Sequence, residues 1–185
     1  MIYDLPKSLE VCGREYEIRS DFRDILNIME ILNDVDLESQ ERGFLTLLFF
    51  YPAFNSMPSD SYQEALEQCF CFINGGKHEP TDNQNVPSLM DWQQDFPYII
   101  APVNRVIGHE IRTDAYLHWW TFLSAYMEIG ECTFAQIVHI RDAKNRGKAL
   151  DKTDQEWYRK NRSIVDLKTN YTSAEKELFR KWGGG

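Results

Sequence analysis

The chain has 185 residues, enough for one domain with a substantial core, and is 43 % hydrophobic, 14 % aromatic and 26 % charged. Eleven Phe, nine Tyr and five Trp exclude a disordered chain, because aromatic burial carries much of the energy of small cores. A net charge of −9 argues against binding nucleic acid over a broad surface, and the charge is uneven, with 18 acids and 6 bases in residues 1–100 but 11 acids and 14 bases in residues 101–185.

The opening MIYDLPKSLE has neither the basic start nor the apolar core of a signal peptide. No apolar run reaches the roughly 18 residues of a membrane span, so a cytoplasmic protein without a membrane partner is expected. Residues 8–19, SLEVCGREYEIR, read as a β-hairpin with a two-residue turn at Gly13-Arg14. That register sets Val11 opposite Tyr16, Leu9 opposite Ile18 and Glu10 opposite Glu17. The first helix is expected over Asp21 to Asn33, with Phe22, Ile25, Leu26, Met29 and Leu32 inward. The second runs from Ser39 to Tyr51 and stops at Pro52. The third opens with a Ser61–Glu64 capping box, carries Tyr62, Leu66, Cys69, Phe70 and Ile73 on one stripe, and closes at Gly75-Gly76. Residues 75–87, GGKHEPTDNQNVP, hold the strongest loop signal.

Ser88 is expected to cap the fourth helix, with Asp91 in its first turn and a kink or a break at Pro97 and Pro102. Next comes LHWWTFLSAYMEI, Leu117 to Ile129, which is apolar around nearly its whole circumference. Tyr116, Trp120, Leu123 and Met127 form one stripe, and Trp119, Phe122, Tyr126 and Ile129 a second. A helix apolar on both sides is either the centre of a bundle or has one stripe open to a partner. Thr133 is expected to cap a helix containing Phe134, Ile137, Val138 and Ile140; boxes at Thr153–Glu156 and Thr172–Glu175 open two short ones around Trp157 and Phe179. The whole is a mainly α, single-domain helical bundle of about six to eight helices with a small N-terminal β-hairpin. The hairpin covers residues 1–20 and packs on the bundle, the helical core covers 21–150, and short helices with a frayed Gly tail cover 151–185.

Motifs for chemistry are sparse. Cys12, Cys69, Cys71 and Cys132 form no CxxC pair and no zinc spacing, so free thiols are expected. Asp91, Asp95 and His118 are the one set that could bind a divalent metal or move protons. Against that, Asp91 suits a helix start, Asp95 can pair with Arg105, and His118 can bond to backbone; no third carboxylate or second histidine falls at ligand spacing. Neither a phosphate loop nor a nucleophile elbow nor an HExxH motif occurs. Arg141 to Arg162 carries eight bases with Trp157 and Tyr158 among them, but four interleaved acids favour a solvated face or an acidic partner over nucleic acid. No catalytic residue, cofactor or metal is expected.

From Leu89 to Arg141 the chain reads LMDWQQDFPYIIAPVNRVIGHEIRTDAYLHWWTFLSAYMEIGECTFAQIVHIR. The WQQDF segment, the Gly108 turn, the LHWWTF block and the CTFAQIVHIR helix resemble the bacteriophage gene-product-fifteen family of tailed phages, and the opening hairpin and the DQEWY segment also fit. The resemblance implies a gene between the major tail protein and the tape-measure protein of a siphophage. It implies a tail assembly chaperone that holds the tape-measure protein and helps the tail-tube protein polymerise in the host cytoplasm, absent from the mature virion. The alternative is a structural tail or neck component retained in the particle. Partner contact is expected on Trp119, Phe122 and Tyr126 as an outer stripe, with Trp92 and Phe96 as neighbours. The hairpin edge and the charge asymmetry permit a homo-oligomer.

Overall fold

The computed structural model describes residues 4–77 and 87–168. Seven α-helices and one two-stranded antiparallel hairpin make up the regular structure of those residues, so the mainly α reading with a small N-terminal hairpin holds. The elements fall into two compact units divided between Lys77 and His78. The box at Thr172–Glu175, the helix around Phe179 and most of the 75–87 loop lie outside the described residues.

In the first unit, strands β1 (Ser8–Val11) and β2 (Arg14–Glu17) pair with Leu9 opposite Tyr16, Glu10 opposite Glu15 and Val11 opposite Arg14. The turn is therefore Cys12-Gly13, one residue earlier than the sequence suggests. Both residues have positive φ, 49° and 75°, as a type I′ turn requires. Type I′ matches strand twist, and the left-handed Cys12 is held from outside the hairpin: Glu64 accepts from its backbone N–H at 2.9 Å and from its thiol at 3.1 Å. The pairing has shifted by two, an even number, so side chains keep their faces. Val11, Tyr16 and Ile18 are buried as the alternation requires.

Helices α1 (Phe22–Asn33), α2 (Ser39–Phe50) and α3 (Tyr62–Ile73) complete this unit, with short 3-10 turns at Phe54–Ser56 and Ser59–Ser61. Asp21 caps α1 by accepting from Arg23 N, and an unforeseen capping box of Glu38 and Glu41 opens α2. The expected Ser61–Glu64 box does not form, because Glu64 is taken by the hairpin turn; that backbone bond, then the thiol, hold its carboxyl below the usual range. Ala65, Cys69, Phe72 and Ile73 face the core of α3, while Phe70, expected inward, is exposed.

The second unit holds α4 (Trp92–Ile107), α5 (Trp119–Met127), α6 (Thr133–Asn145) and α7 (Lys152–Val165), with a 3-10 turn at Ile111–Thr113. Helix α4 runs continuously through Pro97 and Pro102; of the kink or break expected there, the break does not occur. Each proline removes one ladder bond, but Ile99, Ile100, Pro102 and Val103 are all buried, and packing holds the helix together. It ends at Gly108 in the left-handed region, φ 94°, where an L side chain would be strained. Three caps move from the expected residue. Asp91 rather than Ser88 caps α4, Cys132 precedes Thr133 at the start of α6, and Asp151 rather than Thr153 caps α7. An Asp that accepts a backbone N–H at 2.7–2.8 Å from three residues on fixes the start wherever one is available.

Candidate interaction surface

Helix α5 decides how the second unit meets solvent. Its first backbone N–H groups are capped by His118, whose Nδ1 accepts from Trp120 N at 3.0 Å. With Trp119, Phe122 and Ala125 buried, one side of the helix is committed to the core. Trp119 and Phe122 stack at 5.5 Å, and Trp92 of α4 meets Trp119 edge-on at 6.0 Å and Tyr126 at 5.1 Å. Tyr126 reaches Phe134 of α6 at 6.0 Å, closing an aromatic run across three helices.

Four of the five residues expected to meet a partner, Trp92, Trp119, Phe122 and Tyr126, therefore touch one another. Phe96, half-buried, lies one helical turn beyond Trp92. The stripe is not the open one, however: Trp119 and Phe122 have no exposed surface. The stripe left outward is Tyr116, Trp120, Leu123 and Met127, with Tyr116 43 % and Met127 69 % exposed. Trp92 of α4 supplies the aromatic face that covers Trp119 and Phe122, a tertiary contact that the pattern of a single helix does not contain.

Between α5 and α6 lies an open groove of about 590 Å³. Its apolar wall is Tyr126, Met127, Ile129, Phe134 and Val138, and its far rim carries His139, Asp142 and Arg146. Tyr126 donates its hydroxyl to Met90 Sδ at 3.3 Å; burial, then the charge of Asp95, raises its pKa, so it stays a neutral donor. The rim charges are internally paired: Arg146 donates to Asp142 at 2.8 Å, and His139 lies 3.2 Å from Asp154 of α7. A groove with an apolar wall and a self-satisfied polar rim suits an apolar helix face more than a charged small molecule.

Asp91, Asp95 and His118 each have a structural partner. Asp91 and His118 cap separate helices, and among the described residues no group of three or more His, Cys, Asp or Glu could hold a metal ion. Asp95 is fully buried against Arg141 and not against Arg105, which donates to the Ile129 carbonyl. The guanidinium of Arg141 uses all five of its donors: two on Asp95 at 2.6 and 2.9 Å, and one each on the carbonyls of Leu89, Ile164 and Val165 at 2.6–3.0 Å. Gln94 adds donations to the Ile164 and Asp166 carbonyls and accepts from Lys168 N. The segment that leaves α7 is thus gripped along its backbone by α4 and α6.

Arg141 was legible only as one base in a run. The missed signal is position: Phe134, Ile137 and Arg141 share the buried stripe of α6, as Asp95, Ile99 and Val103 share that of α4. Opposite charges on two inward stripes imply a pair, since neither is tolerated alone. Trp157 and Tyr158 likewise pack on the Ile137–Ile140–Val165 cluster instead of standing open for base stacking, and Lys144 lies 4.3 Å over the Tyr158 ring.

Among the described residues no helix is long and apolar enough to cross a membrane. No curated protein and no solved structure matches the chain significantly. The family model described as bacteriophage Gp15 protein matches residues 1–167, so the chain belongs to that family and is a phage structural or assembly-related protein.

Proposed function

We propose that the protein is a non-enzymatic tail assembly chaperone that acts in the host cytoplasm. It binds an apolar helical stretch of the tape-measure protein and releases it as the tail-tube protein polymerises. The observation that carries this reading is the α5–α6 groove, with Met127 at its edge 69 % exposed. An unbranched, polarisable side chain in that place can adapt to successive apolar segments of one long partner. The packed aromatic run behind it, with Trp119 and Phe122 fully buried, backs the wall, and a preformed wall limits the ordering needed on binding.

The test is co-expression with the adjacent tape-measure gene and affinity purification. The wild-type chain is expected to retain the tape-measure protein. Met127→Glu, a change at an exposed position, removes roughly 2 kcal/mol of apolar burial and should weaken retention about thirtyfold while the fold persists. Undiminished retention by the variant would remove the groove from the account, and no retention by the wild type would remove the partner.

A further inference from the structure

The first unit has an exposed apolar helix face of its own. Thr46, Leu47 and Phe50 turn α2 toward the core, and its outer side carries Glu41, Phe44 and Leu48 at spacings of three and four. Phe44 is 49 % and Leu48 42 % exposed. Phe44 touches Phe54 edge-on at 5.2 Å, which fixes one edge of its ring and leaves the rest outward. Just before α2, Asp34, Asp36 and Glu38 are all exposed, so the apolar strip begins at an acidic end.

The surroundings are predominantly negative. Residues 4–77 contain fourteen acids and six bases. Three of those bases are folded back onto the unit: Arg42 donates to the Leu32 carbonyl at 3.1 Å, Arg23 lies beside Asp21 and over the Phe22 ring, and Arg19 lies over the Phe49 ring. An apolar strip inside a negative field attracts a partner that is apolar on one face and positive on its flanks. We propose that the Phe44–Leu48 face of α2 is a docking surface for a cationic amphipathic helix of another polypeptide. Its apolar residues would lie along Phe44 and Leu48, with Lys or Arg beside Glu38 and Glu41. This surface belongs to a different unit from the α5–α6 groove, and the inference does not rest on the chaperone reading.

The probe is a fluorescently labelled synthetic helix with Leu at positions i, i+4 and i+7 and Lys on its flanks, paired with a twin carrying Glu in place of Lys. Anisotropy titration of the full chain should give an affinity for the Lys helix about tenfold or more above that for the Glu helix, falling as salt is raised. Leu48→Ser, and separately Phe44→Ser, should each lower the Lys-helix affinity about tenfold with unchanged circular dichroism. Equal affinity for the two helices overturns the proposal, as does binding of the Lys helix that Leu48→Ser does not weaken. A dimer in sedimentation that Leu48→Ser dissociates also overturns it, by assigning the face to a second copy of this chain.

Discussion

In residues 4–77 the interior is a chain of ring contacts: Tyr16 edge-on to Tyr51, Tyr51 edge-on to Phe50, Phe50 against Phe72 at 5.5 Å. The Tyr51 hydroxyl donates to the Ala65 carbonyl, and burial holds it protonated well above its ordinary range. In residues 87–168 an aromatic run is also present, yet three of the four helices, α4, α6 and α7, converge on one charged group, Arg141, and one carboxylate, Asp95. Dispersion contacts are many and individually small, so the first unit has no single indispensable atom. The guanidinium clamp concentrates its contribution in one side chain with five fixed directions. Those directions specify where the end of α7 and the segment after it must lie.

The largest expected effect breaks that clamp. Arg141→Met strands a buried carboxylate and should cost about 3–5 kcal/mol, with hydrogen exchange accelerating in residues 87–168 far more than in 4–77. Adding Asp95→Leu removes the stranded charge and should recover part of the loss. Recovery stays incomplete because the Leu89, Ile164 and Val165 carbonyls still lack their donor, an orphan acceptor costing about 1–3 kcal/mol. Full recovery would reduce the clamp to a simple ion pair. The mirror experiment is Phe50→Ala, a fully buried ring whose loss should cost about 3–5 kcal/mol, with the accelerated exchange now confined to 4–77. Equal loosening of both units by either variant would contradict the contrast between them.

The smallest effect depends on pH. Burial pushes the carboxyl of Asp166 upward, but hydrogen bonds from Lys144, Arg162 and Tyr158 outweigh it and hold the group below the usual carboxylate range. A depressed folded-state value means that the stabilisation is complete above the unfolded value of about 3.9 and is lost as pH falls through the folded one. Asp166→Asn should therefore be slightly less stable at neutral pH and should flatten the acid limb of the thermal-stability profile below about pH 4. An unchanged limb would show that Asp166 contributes nothing to holding the end of α7.

Helix existence was readable because periodicity is local: α1, α2 and α3 begin or end within a residue or two of where the spacing puts them. What required the third dimension was the choice among equivalent local partners. Glu64 could cap its own helix or hold Cys12, and only the packing of the hairpin against α3 decides in favour of Cys12. The two stripes of α5 are equally apolar in sequence, and the position of Trp92 determines which one is sealed. Arg141 looked like its solvated neighbours because composition within a basic run conceals which base sits on the inward stripe. The groove was half legible: Tyr126 was named, while Met127, on the other stripe, supplies the exposed edge.

The central functional claim is that this chain serves assembly without remaining in the product. Quantitative mass spectrometry of purified phage particles, calibrated against the tail-tube protein, tests it most directly. The account predicts no copies above background in mature virions alongside abundant protein in the lysate of infected cells. A fixed, stoichiometric number of copies per particle would contradict it and make the protein a structural part of the tail or neck.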